Sequence, residues 1–250
     1  MPPSSQQGVL LTSSQRFLRA SGPARALWAG LGGLVLSGLG SSGALATPAL
    51  NDTGYTRCVV NGQFTSQCAG TGQDAEYGRD ATAPDGRDGV AGFSFTKVCG
   101  SGEVAGQGSC PADPARGSGA NEWACTLDNV THLLWQLDVG TRVTHYPTGP
   151  YNYRDYVKQV NASGLCGHSD WHLPATAQLE TLVLSTTGYP APAIDTAWFP
   201  STPSSQPYWA MEARIDNPQE YWVVMFDMGG MVYPLNRQYK AYVRLVHQNP

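Results

Sequence analysis

The sequence predicts an α+β fold that is loop-rich and stapled by disulfides, and three observations predict it. Six cysteines (Cys58, Cys68, Cys99, Cys110, Cys125, Cys166) all follow residue 46. Two segments carry apolar residues at helical spacing. The last part of the chain is a series of β-forming runs bounded by Gly and Pro.

Residues 1–46 read as an export signal. Arg16, Arg19 and Arg25 form a basic region without an acid, and an apolar, Gly-rich stretch extends from Ala26 to Leu45. Ala44-Leu45-Ala46 is a small-residue cleavage motif, so the mature chain is expected to start at Thr47. The expected location is secreted, periplasmic or cell-surface, with no membrane span after cleavage. An even cysteine count in an oxidising compartment implies three disulfides. Fifteen connectivities are open to six cysteines. The preferred pairing is Cys58–Cys68, Cys99–Cys110 and Cys125–Cys166. No Cys-x-x-Cys pair supports a zinc site instead.

The chain holds 15 basic and 19 acidic residues. Loss of the three signal arginines takes the net charge from −4 to −7. Long-range attraction then has the wrong sign for nucleic acid, heparin-like polymers or anionic membranes as general partners. Twelve tyrosines and seven tryptophans suit an aromatic-rich, strand-rich secreted fold.

Residues 47–122 read as a Gly/Asp-rich, disulfide-stapled segment that packs on the C-terminal half of the chain. Val90 to Val98 alternates as one strand, with Phe93 and Phe95 on one face. Asp74, Glu76, Asp80, Asp85 and Asp88 lie in an oxygen-rich loop of the kind that can hold calcium, although their spacing matches no EF-hand. The plainer reading is a solvated loop. Residues 123–250 read as the globular part. Asn129 to Leu137 holds a strand with Leu133 and Trp135 on one face and Leu134 on the other. Tyr151 to Val160 has helical spacing, with Tyr153, Tyr156, Val157 and Val160 on one stripe. Pro174 opens a second helix that buries Leu179, Leu182 and Val183. Tyr208 to Arg214 is a strand, and Tyr221 to Phe226, apolar on both faces, is a central one. Gly229-Gly230 fits a two-residue hairpin turn into Met231 to Leu235. Ala241 to Val246 closes the chain as a strand.

The order of several blocks carries a resemblance: Trp123-Ala-Cys-Thr-Leu-Asp-Asn-Val-Thr-His-Leu-Leu-Trp-Gln136, then Gly164-Leu-Cys-Gly-His-Ser-Asp-Trp-His-Leu-Pro174, then Ile194-Asp-Thr-Ala-Trp-Phe199, Tyr208-Trp209 and Tyr242-Val-Arg244. Over about residues 123–247 this resembles the Lcl C-terminal domain family, named for the C-terminal part of the Legionella collagen-like adhesin. The resemblance implies a C-type-lectin-like fold: a twisted antiparallel sheet, two helices and long loops. It also implies a non-enzymatic recognition or adhesion domain with a glycan or cell-surface partner. This chain departs from the family at three points: His172 replaces Arg, His132 replaces Gly, and Ala175 replaces Thr at a helix N-cap. An alanine there leaves an N–H without its usual side-chain partner, at a cost of about 0.5–2 kcal/mol.

Trp171 and Pro174 are expected to be structural, with Asp170 bonding backbone N–H groups of its own turn. His168 and His172 precede Pro174 in a corner, so a helical metal pair is not expected there. The candidate ligand-facing residues are Trp209, Arg214, Asn217, Arg237, Tyr239 and Lys240, on late strands and loops. Gly-x-Ser-x-Gly, His-Glu-x-x-His and phosphate-loop motifs are absent. Formylglycine-generating oxidases share a lectin-like fold but need free cysteines. The reading is therefore not an enzyme, with no cofactor beyond a possible calcium ion. The alternative is a structural envelope or appendage component whose copies assemble through protein–protein contacts.

Overall fold

The computed structural model describes residues 51–82, 85–185, 192–227 and 229–248. The expected export signal lies outside them. From Ala46 onward the chain is one unit. It opens with a hairpin, β1 (Cys58–Val60) and β2 (Gln63–Thr65), turned by Asn61 and Gly62 at φ 51° and 74°. Two positive φ values suit the right-handed twist of a two-residue hairpin. A 3₁₀ turn (Asp74–Glu76) and a short helix α1 (Gly78–Thr82) come next, then a two-residue ladder of β3 (Asp85–Gly86) with β4 (Gly89–Val90).

The expected Val90–Val98 strand starts late, as β5 (Phe95–Cys99), because Ala91 and Gly92 take left-handed turn conformations at φ 52° and 81°. β6 (Trp123–Asp128) and β7 (Leu133–Gln136) come next, then β8 (Val143–Thr144). Helix α2 (Tyr153–Ser163) has clear ends. The Asn152 side chain accepts the Asp155 N–H at 2.9 Å, and Gly164 stops the helix at φ 62°. The second helix, α3 (Thr176–Glu180), is a bare turn and a half whose buried residues continue through Leu182. The late strands are β9 (Pro207–Arg214), β10 (Asn217–Met225), β11 (Met231–Asn236), β12 (Lys240–Ala241) and β13 (Val246–Gln248).

The architecture is α+β. Its antiparallel pairing is split among small sheets and does not form one continuous sheet. One has the order β13-β7-β6-β5, another β11-β10-β9, and three are two-stranded. β10 is central, as its apolar run predicts. Its neighbours explain that run. Val224 joins a core with Phe93, Phe95, Trp135, Leu179, Phe199 and Tyr208, while Val223 joins a second core with Leu134, Trp171, Trp209, Val243 and Leu245. Leu133 and Trp135 likewise face the first core and Leu134 the second, so successive residues of a strand serve different cores.

Two expectations for the late chain are corrected. The β10–β11 connection spans five residues, because Met225 pairs with Met231, and Gly229-Gly230 lies within it. The expected strand Ala241–Val246 breaks at its middle. β12 pairs with β8, β13 pairs with β7, and between them Arg244 is fully buried. Its guanidinium donates to the carbonyls of Gln136 and Leu137 at 2.8 and 2.9 Å and to the Thr202 hydroxyl at 2.8 Å. Those bonds use the backbone that a continuous strand would have needed elsewhere.

The disulfides are Cys58–Cys68, Cys99–Cys110 and Cys125–Cys166, the preferred pairing. The third ties β6 to the corner before Trp171. Trp171 is buried, and its backbone N–H and C=O are both bonded by the Asn161 side chain, at 2.7 and 3.0 Å.

Candidate functional site

The segment Val143–Tyr146 joins β12, the Tyr151 turn and β10 around one groove. Thr144 pairs with Lys240 and donates its N–H to the Tyr151 carbonyl at 2.8 Å. The His145 N–H reaches the Arg237 carbonyl at 3.0 Å. The His145 side chain turns inward, 4% exposed, stacked on Tyr221 with ring centroids 3.6 Å apart. Its Nε2 lies 3.2 Å from the Ala210 carbonyl. A carbonyl only accepts, so Nε2 carries the proton of a neutral ring. Burial pulls the pKa of this imidazole down to about 4.

A groove of about 540 Å³ opens above His145, lined by Tyr153, Arg154, Val157, Lys158, Asn161, His172, Leu173 and Met211. α2 forms one wall, because residues 153, 154, 157, 158 and 161 recur at helical spacing on one side. On this wall Tyr153 and Val157 are half-buried and Arg154 and Lys158 are exposed. Beside the groove, Arg237 lies over the Tyr146 ring at 4.9 Å and Lys240 over the Tyr151 ring at 3.8 Å. Among the described residues, none of Arg154, Lys158, Arg237 and Lys240 stands in an ion pair, whereas Lys97, Arg116 and Arg214 do. Arg154 and Lys158 on the groove wall, and Arg237 and Lys240 on their tyrosines beside it, give this region a basic, tyrosine-rich character on a chain of negative net charge.

Three of the six sequence candidates, Arg237, Tyr239 and Lys240, lie together at this face, and Tyr239 is exposed. Trp209 does not, and its candidacy is corrected. It is 0% exposed, and its indole N–H donates to the Val143 carbonyl at 2.8 Å. No sugar can stack on it, but it supports the segment that carries His145. Arg214 is held by Asp216 and Glu220 at 2.6 and 2.9 Å. The Asn217 side chain accepts the Gln219 N–H at 3.1 Å. Both are occupied in shaping the β9–β10 turn. Reading by strand and loop position alone overlooks Tyr146, Tyr151, Arg154, Lys158 and Met211. Arg154 and Lys158 did leave a signal, a pair of cations four apart on the polar side of α2.

The acids of the expected calcium loop separate. Glu76 accepts the N–H groups of Gly70 and Gly72, both at 2.7 Å, which lower its pKa. Asp88 accepts the Ser94 hydroxyl. The Asp85 side chain lies outside the described residues. Asp74 and Asp80 do meet, with Asp52 as a third carboxylate. Asp170 also departs from expectation, because its carboxylate lies 2.9 Å from His247 Nδ1 in place of a bond within its own turn. His168 stacks on His247 at 3.7 Å, and burial, then the His247 charge, lowers its pKa. His172 stands apart, exposed, so His168 and His172 form no pair.

The Lcl C-terminal domain family matches residues 124–247. A comparison with curated proteins finds no match.

Proposed function

Since residues 124–247 belong to the Lcl C-terminal domain family, an adhesin-like family, we propose that the chain is an exported recognition domain. In this reading it binds a glycan in the groove between α2 and β9 and does no chemistry on it. The observation that carries this is the combination of an apolar groove, whose wall bears Arg154 and Lys158, with Arg237 and Lys240 resting on tyrosines beside it. Tyrosine faces pack on the C–H faces of sugar rings. Arg154, Lys158, Arg237 and Lys240 supply donors for carboxylate or sulfate groups. The negative net charge opposes long-range capture of polyanions, so recognition is short-range and local. A lectin-like fold belongs to the same proposal, as do secretion and the lack of catalysis. Three disulfides with no free cysteine among the described residues suit an oxidising compartment and leave no thiol for an oxidase. No helix among the described residues is long and apolar enough to cross a membrane.

The test is a glycan array carrying neutral and acidic sugars, probed with the oxidised protein at low and physiological salt. Binding to at least one acidic glycan is expected. Arg154→Ala with Lys158→Ala, both exposed on the groove wall, should weaken it about tenfold or more while thermal unfolding stays within a degree or two of wild type, as surface changes do. Equal binding by the double variant would remove this site. A blank array would favour the second reading, a structural component that contacts other proteins. One observation supports that alternative. Ile215 is fully exposed at the β9–β10 turn, beside the strand that also exposes Met211. Concentration-dependent self-association that Ile215→Ser abolishes would establish it.

A further inference from the structure

The stretch from Asp52 to Thr82 buries few apolar side chains. Its own apolar cluster is only Cys58, Cys68 and Ala75. Yet it buries a carboxylate. Asp80 is 1% exposed, and neither of its oxygens has a hydrogen-bond partner among the described residues. It faces two more carboxylates, Asp52 and Asp74, each offering an oxygen within 4.8 Å of the others. Three like charges with one of them dehydrated are unfavourable unless a cation compensates them. Among the described residues none of the three stands in an ion pair with a basic side chain. Arg79 sends its Nε to the Gly92 carbonyl at 2.8 Å.

We propose that Asp52, Asp74 and Asp80 bind one calcium ion that clamps this segment together. The donors are all oxygen, which selects a hard cation over zinc or copper. Two of the carboxylates are already fixed in place. Asp52 accepts the Arg79 N–H at 2.7 Å and the Asp80 N–H at 3.3 Å, and Asp74 accepts the Thr53 hydroxyl. Asp80 is the one left over, aimed at the other two. Three carboxylates plus water reach the six to eight oxygens that calcium takes, and calcium tolerates their irregular placement better than magnesium does. The ion would join residue 52, the 3₁₀ turn and α1, three pieces the apolar cluster does not unite.

Amide hydrogen exchange on the full oxidised chain, with calcium chloride and with EDTA, tests this. Calcium should slow exchange within residues 52–82 and leave residues 124–247 unchanged, with half-saturation at roughly 0.1–1 mM, the range of extracellular modules. Asp80→Asn should abolish the response. Asp74→Asn, an exposed position whose loss should leave folding intact, should shift half-saturation at least tenfold. No slowing at millimolar calcium, or an unchanged response in Asp74→Asn, would overturn the site. An equal response to magnesium would overturn the choice of ion.

Discussion

His132 stands in a backbone conformation that glycine adopts more readily. It ends the β6–β7 connection at φ 58°, with its side chain exposed. Asp128 shapes that turn by accepting the N–H groups of Val130 and Thr131 at 2.9 and 3.1 Å. The backbone bond from His132 N–H to the Asp128 carbonyl, at 2.9 Å, closes it. A left-handed conformation costs a non-glycine residue about 1–2 kcal/mol. Glycine returns about 0.4–1 kcal/mol of that through the entropy of its unfolded chain. His132→Gly should therefore stabilise the protein by about 0.5–1 kcal/mol in urea unfolding at neutral pH. A loss of stability would mean that the imidazole makes a contact worth more than the strain. Trp209 teaches a different lesson. An aromatic on a late strand looks like a ligand platform in a linear sequence. Successive residues at the start of β9 are buried on both faces, so alternation cannot say which side meets solvent.

Among the elements, α3 survives without a conventional cap. Ala175 has no acceptor to offer, and the cost expected from that substitution is offset from outside the helix. The Glu212 carboxylate of β9 accepts both the Thr176 N–H and its hydroxyl at 2.9 Å, and Gln178 accepts the Ala175 N–H at 2.8 Å. A negative charge at a helix start is favourable in its own right. Glu212→Ala should cost about 1 kcal/mol, within the range of a lost N-cap. Glu212→Gln should recover part of it, which chemical denaturation of the two variants will measure. No loss in either would show that the cap is idle. The 3.6-residue stripe made α2 legible because it lies within the helix's own segment, as do the caps Asn152 and Gly164 that the structure adds. The Glu212 cap joins positions 36 residues apart, and no periodicity encodes such a pair. Asn61-Gly62 carries a strong hairpin signal too. The loop-like composition around it hides a strand pair only three residues long. The basic face and the Asp52–Asp74–Asp80 cluster were half legible for the same reason. Their members were visible as residues, but their meeting depends on the fold.

Over the whole molecule, buried ionisable groups decide how stability responds to acid. The folded His145 has a pKa of about 4, against about 6.5 in the unfolded chain. Between those values the unfolded chain binds a proton that the folded protein refuses. The stability this group contributes is complete above about pH 6.5 and is lost as pH falls toward 4. Asp128 acts in the other direction. Burial raises its carboxyl, so the folded protein takes up a proton before the unfolded chain does and gains stability as pH falls. The total profile mixes the two signs. The difference between wild type and His145→Gln isolates the imidazole, because the carboxyl contributions cancel in it. That difference in unfolding free energy should move against the wild type by roughly 2 kcal/mol between about pH 7 and pH 4.5. A constant difference would mean that the ring titrates as it does in water. The groove floor would then be open to solvent, and the packing of His145 between Tyr221 and Trp209 would not be what holds the basic face in position.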